Sequence, residues 1–202
     1  MQRKGTVYFL ELEQRREFKV FEEYGIVLDF LPRGVARRSS RHVSTPTIQV
    51  VGEAMFTLLE AAVRPKANVE IAGRVYIGKG RRDVVDQILG RISYEELTPE
   101  ARDALPTAIE AIIKRQEQRF VNFVNEAQPV SPRMHSMELL SGIGKTYTMK
   151  ILAERQRSPF KSFEDLSART GVQDPAKIFA KRVLDELATE QKYYLFTRQF
   201  RR

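Results

Sequence analysis

Residues 139–148 read LLSGIGKTYT, and the reading of Gly142, Gly144 and the Gly144-Lys145-Thr146 triplet decides what kind of fold this chain has. A nucleoside-triphosphate cradle needs the longer pattern Gly-x-x-x-x-Gly-Lys-Ser/Thr directly after a buried strand, so that several backbone N–H groups can wrap the phosphates. Here Leu139 stands where the first glycine of that pattern belongs, and the preceding MHSMELL (134–140) is not a β-branched run. The alternative is a tight turn between two helices. In such a turn glycines allow positive φ and close approach of a ligand, while the next helix offers unpaired N–H groups and a partial positive charge to a phosphate.

Charge points the same way. The 202-residue chain carries 34 Lys+Arg against 26 Asp+Glu, a formal net charge of +8. Residues 1–128 hold 20 basic and 18 acidic side chains, whereas residues 129–202 hold 14 and 8, so most of the excess lies with the glycine turn. A basic segment of this kind favours a polyanionic partner. No apolar run approaches the roughly 20 residues that span a bilayer, and the amino terminus has no signal-like segment, so a soluble, cytoplasmic protein is expected. The absence of cysteine excludes disulfides and thiolate metal sites.

Outward from the turn, the first part of the chain reads as strands: 24–32 (YGIVLDFLP), 47–52 (TIQVVG), 55–63 (MFTLLEAAV) and 68–77 (NVEIAGRVYI), with a helical pattern after Asp83. Such a set suggests a small, twisted, partly closed barrel. Ser93 with Glu96 has capping-box spacing, and Pro99 and Pro106 mark helix starts. From Pro106, the apolar positions Ile109, Ile112, Ile113, Phe120, Phe123 and Val124 predict one long helix ending before Pro129. The prolines in QPVSP (128–132) predict a linker. Beyond it the pattern is helical: a segment from His135 to Leu140, a helix over 146–155 with Met149 and Leu152 inward, another after Ser162, and a last one after Asp174-Pro175.

The stretch Leu140-Ser141-Gly142-Ile143-Gly144-Lys145, followed by Thr148, Ile151-Leu152, Arg155 and PFKSFEDL (159–166), resembles the helix-hairpin-helix module of nucleic-acid-binding proteins. A degenerate second copy follows at Gly171-Val172-Gln173-Asp174-Pro175, with Gln173 in place of the second glycine. Over nearly its whole length, including Arg74-Val75-Tyr76-Ile77-Gly78-Lys79-Gly80, the chain is similar to a small archaeal family of unknown function, DUF655. That resemblance implies an OB-like barrel joined to a helix-hairpin-helix region, nucleic-acid binding, and no established reaction.

Further candidate sites lie in the first part. Arg37, Arg38 and Arg41 fall in a polar stretch without acidic residues and can reach phosphates or stack on bases, or form a solvated loop. Lys79, Arg81 and Arg82 form a second basic turn, and Tyr76 just before it is the stacking candidate chosen from Tyr8, Phe30, Phe56 and Tyr76. His42 and His135 have no carboxylates at ligand spacing, and the pairs Glu22-Glu23, Glu95-Glu96 and Asp185-Glu186 read as exposed surface rather than magnesium ligands.

The expectation is therefore an α+β protein with an OB-like β-barrel over 1–92, a helical connector over 93–128 and an all-α helix-hairpin-helix domain over 129–202. It would bind nucleic acid, RNA in preference to DNA, through Gly142, Ile143, Gly144, Lys145, Thr146 and the basic loops. No catalytic residue, metal or cofactor is expected. The alternatives are a protein-interaction adaptor and a DNA-binding accessory of repair or replication.

Overall fold

The computed structural model describes residues 21–34 and 45–199. Its first part is one antiparallel sheet of β1 (Tyr24–Leu31), β2 (Thr47–Gly52), β3 (Leu58–Val63), β4 (Arg74–Tyr76) and β5 (Val85–Arg91), in the order β4-β1-β2-β3-β5. Alternate side chains point to opposite faces of a strand, and the sheet divides accordingly. Ile26, Leu28 and Val51 belong to the core shared with the helices, whereas Val27, Ile48, Val50 and Ala61 join Val75 and Val85 in a second cluster on the other face, inside the curl of the sheet. Hence β2 and β3 are buried along their whole lengths.

Residues 85–91 form β5 and not the helix expected after Asp83. Register shifts opposite Glu60/Ala61 and Ala62/Val63 interrupt the alternation, so that Asp86 and Gln87 are both exposed and the strand's two-residue period is lost from the sequence.

A polar ladder ties the sheet to the first helix. Gln49 Nε2 donates to Glu60 Oε1 (3.2 Å) and to the Glu96 carbonyl (3.1 Å), Gln49 Oε1 accepts from Thr98 N (2.9 Å), and Thr98 Oγ1 donates to Asp29 Oδ2 (2.7 Å). Thr98 in turn caps α1 (Pro99–Arg115) by accepting from Ala101 N. Pro106 lies inside α1 and does not begin a helix. The long helix expected to follow is broken at Gln116, with α2 spanning Glu117–Glu126. At the break the Gln116 side chain donates to the Glu53 carbonyl (3.2 Å), which ties it to the β2–β3 turn, and accepts from Arg119 Nη1 (3.1 Å).

The linker expected at 128–132 is a small hairpin of β6 (Pro129–Ser131) and β7 (Met134–His135). A 3₁₀ turn (Ser136–Leu139), α3 (Lys145–Arg157), α4 (Phe163–Thr170) and α5 (Pro175–Ala188) follow. The inward side of α3 is Thr148 and Ile151 with Leu152, while Met149, expected inside, is 68% exposed. Phe120 joins the parts: its ring centroid lies 6.4 Å from Phe56 at the β2–β3 turn, 5.1 Å from Phe179 on α5 and 5.4 Å from Phe196 in the tail. One apolar core runs from the sheet through α1 and α2 to the carboxyl-terminal helices.

Candidate nucleic-acid interface

The glycine turn is held from below. His135 Nδ1 accepts from Met137 N (3.2 Å) and Glu138 Oε1 accepts from His135 N (2.8 Å), which fixes the 3₁₀ turn. Leu140 and Ile143 are buried, and Ile143 N donates to the Leu140 carbonyl (3.0 Å). Burial, and then the charge of Arg155, pushes the His135 imidazole below its ordinary value. Between these anchors Gly142 has φ +85°, a conformation that favours glycine.

Gly144 differs from the expectation of positive φ. It has φ −88° and ψ −174°, open to any residue, and a Cβ built there would meet nothing within 4 Å. Nothing inside the described structure requires a glycine at this position. It is the N-cap of α3 without a capping side chain, the first turn carries no acid, and Lys145, Thr146 and Tyr147 are all exposed. Among the described residues the N–H groups of 145, 146 and 147 take no hydrogen-bond partner. The result is a bare helix start facing solvent, with a Lys beside it: a set of donors suited to one anion. The 3₁₀ turn before it, in place of a strand, is inconsistent with a triphosphate cradle.

The second turn has the same plan and a different end. α4 closes on Gly171 (φ +79°), Val172 is buried as Ile143 is, and α5 begins at Pro175. Asp174 occupies the helix start, accepting from Lys177 N (3.4 Å) and pairing with Lys177 Nζ (2.8 Å). The hydrogen bond from Lys177 holds the Asp174 carboxyl below its usual range, and the Lys177 ammonium is raised in return. This helix start already has its anion.

The basic turn on the β4 edge brings Tyr76, Lys79 and Arg82 together, though for different ends. Tyr76 Oη accepts from Gly80 N (3.1 Å), and Cβ atoms at Gly78 and Gly80 would lie 2.6 and 2.9 Å from that oxygen. The glycines therefore make room for Tyr76, whose ring packs edge-on to Tyr24 at 5.2 Å. Arg82 Nε donates to the Gly78 carbonyl (2.7 Å) and fastens the turn. Arg81 is exposed, and Lys79 lies 4.3 Å over the Phe21 ring. Arg37, Arg38, Arg41, Tyr8 and His42 lie outside the described residues. Phe56 is fully buried.

Of the acidic pairs, Glu22 accepts from Ala54, Met55 and Thr57 N–H, Glu96 accepts from Ser93 N, and Glu186 is buried against Arg182; no group of three metal-ligating side chains occurs among the described residues.

A cluster that sequence reading did not find surrounds Glu53. Its buried carboxylate accepts from Nε and Nη2 of Arg74 (2.9 and 3.0 Å) and from Arg115 Nη1 (2.6 Å). Glu53 raises the Arg74 guanidinium, while burial lowers that of Arg119 alongside. These residues come from β4, the α1–α2 break and the β2–β3 turn, so no local spacing announces them.

The structure thus defines an α+β protein that has, among the described residues, a curled five-stranded antiparallel sheet, five α-helices and two related glycine turns. A family model described as a protein of unknown function, DUF655, matches residues 21–198, and the chain belongs to that archaeal family. It is 39% identical over 198 residues to the uncharacterized protein MJ0038 of Methanocaldococcus jannaschii, covering 97% of this chain and 89% of the relative. The crystal structure of Af1531 from Archaeoglobus fulgidus, assigned to the same family, superposes with a TM-score of 0.79 at 45% identity, over 88% of this chain and all of the other. No helix among the described residues is long and apolar enough to cross a membrane.

Proposed function

We propose that this protein is a non-enzymatic nucleic-acid-binding protein of the cytoplasm, acting on RNA in preference to DNA, and that the turn 142–147 grips a backbone phosphate. The observation that carries this reading is Gly144: a glycine with ordinary φ, open space around its absent Cβ, and three unpartnered N–H groups on the helix it begins. A group that must approach the backbone from outside accounts for such a residue. In this reading the two turns are helix-hairpin-helix elements, the first open to a ligand and the second closed by Asp174. The sheet is read as OB-like in strand number and order. It departs from a closed barrel, because β4 and β5 stand at the two edges of the sheet and do not pair with each other. Lys79 and Arg81, with Arg37, Arg38 and Arg41, add the sequence-independent attraction that a polyanion feels. The preference for RNA rests on the suitability of a small sheet and an arginine-rich loop for single-stranded or structured RNA.

The test is fluorescence anisotropy of labelled single-stranded and hairpin RNA, with DNA of the same sequence, across a salt series. Affinity should fall log-linearly with salt, with a slope of about −0.7 per phosphate contact on single strands, and weaken sharply in Gly144→Asp. A flat salt response would remove the reading. Met149 and Tyr147, exposed on α3 beside the turn, favour a docked protein as the second reading; Met149→Lys would then abolish co-purification of that protein and leave RNA affinity intact.

A further inference from the structure

Beside the start of β1 lies an open cleft of about 480 Å³, lined by Phe21, Glu23, Tyr24, Glu53, Gln116 and Arg119 among others. That volume is within the range that small ligands occupy. Its two aromatic rings are already polarised by cations, Lys79 over Phe21 and Arg74 3.5 Å over Tyr24, yet Phe21 is still 53% exposed. Arg119 uses Nη1 for the Glu53 and Gln116 oxygens (3.3 and 3.1 Å); among the described residues its Nε and Nη2 take no partner, and no carboxylate forms an ion pair with it. Its guanidinium lies near the Phe56 and Phe120 rings at 5.7 and 5.4 Å and is partly desolvated. Glu53 is saturated by Arg74 and Arg115, whereas the exposed Glu23 side chain has no cation partner among the described residues.

The turn that carries the cleft residues Glu53 and Ala54 is braced by Glu22. The Glu22 carboxylate accepts from Ala54 N (2.6 Å), Met55 N (2.9 Å) and Thr57 N (3.0 Å), and a Cβ at Gly52 would lie 2.2 Å from Glu22 Cδ. Phe56, fully buried at φ +52°, completes a turn shaped around that carboxylate. A preorganised turn of this kind holds side chains in binding geometry at little further entropic cost.

We propose that this cleft receives one nucleotide unit bearing an exocyclic amine. The base lies against Phe21 and Tyr24, its amine donates to Glu23, and its phosphate accepts from Arg119. An aromatic face, a guanidinium with unpartnered Nε and Nη2, and a carboxylate without a cation partner among the described residues are complementary to a ring that carries an anion on one side and a hydrogen-bond donor on the other. The proposal takes its ligand class from the nucleic-acid reading above and narrows it: a base must leave its stack to enter, so the bound strand is single or locally open.

The full-length protein titrated with adenosine 5′-monophosphate and followed by NMR tests the cleft without the 142–147 turn. Shifts should appear at Phe21, Tyr24 and Arg119, be unchanged in Gly144→Asp, and be absent with ribose 5-phosphate. Uridine 5′-monophosphate should bind more weakly. Phe21→Ala, at a position 53% exposed, should weaken binding at least about fivefold, the lower end of what one base–aromatic stack contributes, with the Tm of the variant measured alongside. Equal binding of ribose 5-phosphate, preferential binding of tryptophan, shifts confined to Lys145–Tyr147, or no shifts at all would each overturn the proposal. RNA binding lost in Gly144→Asp alongside a silent cleft would leave the backbone-phosphate reading standing and remove this one. Nucleotide binding at the cleft without RNA binding would do the reverse.

Discussion

The two glycine turns share a plan and differ in how the helix after them is completed. Gly142-Ile143-Gly144 and Gly171-Val172-Gln173 each pair a positive-φ glycine with a buried aliphatic residue, which fixes the turn against the core. After the second, Asp174 supplies the capping oxygen and the negative charge that a helix start attracts, and Lys177 locks it there. After the first, neither is present: the cap is a glycine and the following residue is a lysine. A helix start missing both kinds of completion is less stable than its neighbour and more useful to an anion from outside. The difference teaches that the helix cap, Asp174 one residue beyond Gln173 in the second turn against Gly144 in the first, separates a turn that ends in itself from one that awaits a partner.

The largest effect tests the foundation the two turns share. Glu186 on α5 accepts from Arg182 Nε (2.8 Å), from the N–H groups of Leu195, Phe196 and Thr197 (2.8, 3.1 and 3.0 Å) and from Thr197 Oγ1 (3.0 Å). Arg182 reaches the Leu139 carbonyl below the first turn (3.4 Å) and also donates to the Tyr193 carbonyl. Glu186→Ala leaves a buried guanidinium and three backbone donors without their anion, so it should destabilise by about 3–5 kcal/mol. Urea unfolding measures this, and a loss below about 1 kcal/mol would show that the tail and turn are held by apolar packing alone.

Next in size is the transfer of the cap itself. Gly144→Asp gives the first turn what the second has. With φ −88° and no neighbour within 4 Å of the new Cβ, the substitution should leave thermal stability unchanged or slightly raised. RNA affinity should fall at least tenfold, because the N–H groups gain an internal acceptor and a phosphate meets a carboxylate. Gly144→Asn sharpens the comparison, since it caps without charge and should give an intermediate loss. Full affinity in both variants would break the comparison, and the first turn would then be only a connector.

Much of this contrast is legible in the sequence. Thr98-Pro99, Ser162 and Asp174-Pro175 begin helices as their capping chemistry dictates, and the two turns are marked by Gly142 and Gly171. These signals are local, carried by side chains that bond to backbone within three residues. What escapes depends on contacts distant in sequence. The break at Gln116 is tied to the Glu53 carbonyl 63 residues away, and the outward side of Met149 is set by the way α3 seats Thr148 and Ile151 on the core. β5 is hidden by irregular pairing with β3, and the turn at Glu53–Thr57 by a carboxylate from Glu22. Gly144 shows a subtler limit. Its glycine suggested positive φ, and the structure places it in extended backbone, so its meaning lies in the space around it.

The reciprocal change is smaller. Asp174→Gly removes the cap and the exposed pair with Lys177, but it also relieves a non-glycine residue held at φ +45°. These effects oppose each other, so stability should move by only a few tenths of a kcal/mol. If the second turn differs from the first only by its cap, RNA affinity should rise about two- to threefold and the salt slope should steepen by about one phosphate contact, −0.7 on single strands. Unchanged binding and slope would mean that Gln173, which stands where the first turn has its second glycine, keeps a phosphate out whatever stands at 174.

The smallest expected effect concerns His135, which supports the first turn and has no counterpart in the second. Its neutral form is needed, because Nδ1 must accept from Met137 N, and burial with the nearby Arg155 charge lowers its folded-state pKa below the ordinary value of about 6.5. The sign follows from linkage: the unfolded chain takes up a proton first, so the stability this histidine contributes is present above about pH 6.5 and is lost as pH falls through the lower folded-state value. The Tm of the parent should therefore drop more between pH 7.5 and pH 5 than that of His135→Asn, whose side chain can accept from Met137 N without titrating. Amide exchange at Ile143 and Thr148 should quicken over the same interval in the parent alone, since the 3₁₀ turn below Leu140 loosens when the imidazole charges. Identical pH profiles in the two proteins would assign the acid sensitivity to carboxylates elsewhere and leave the first turn's support independent of His135 protonation.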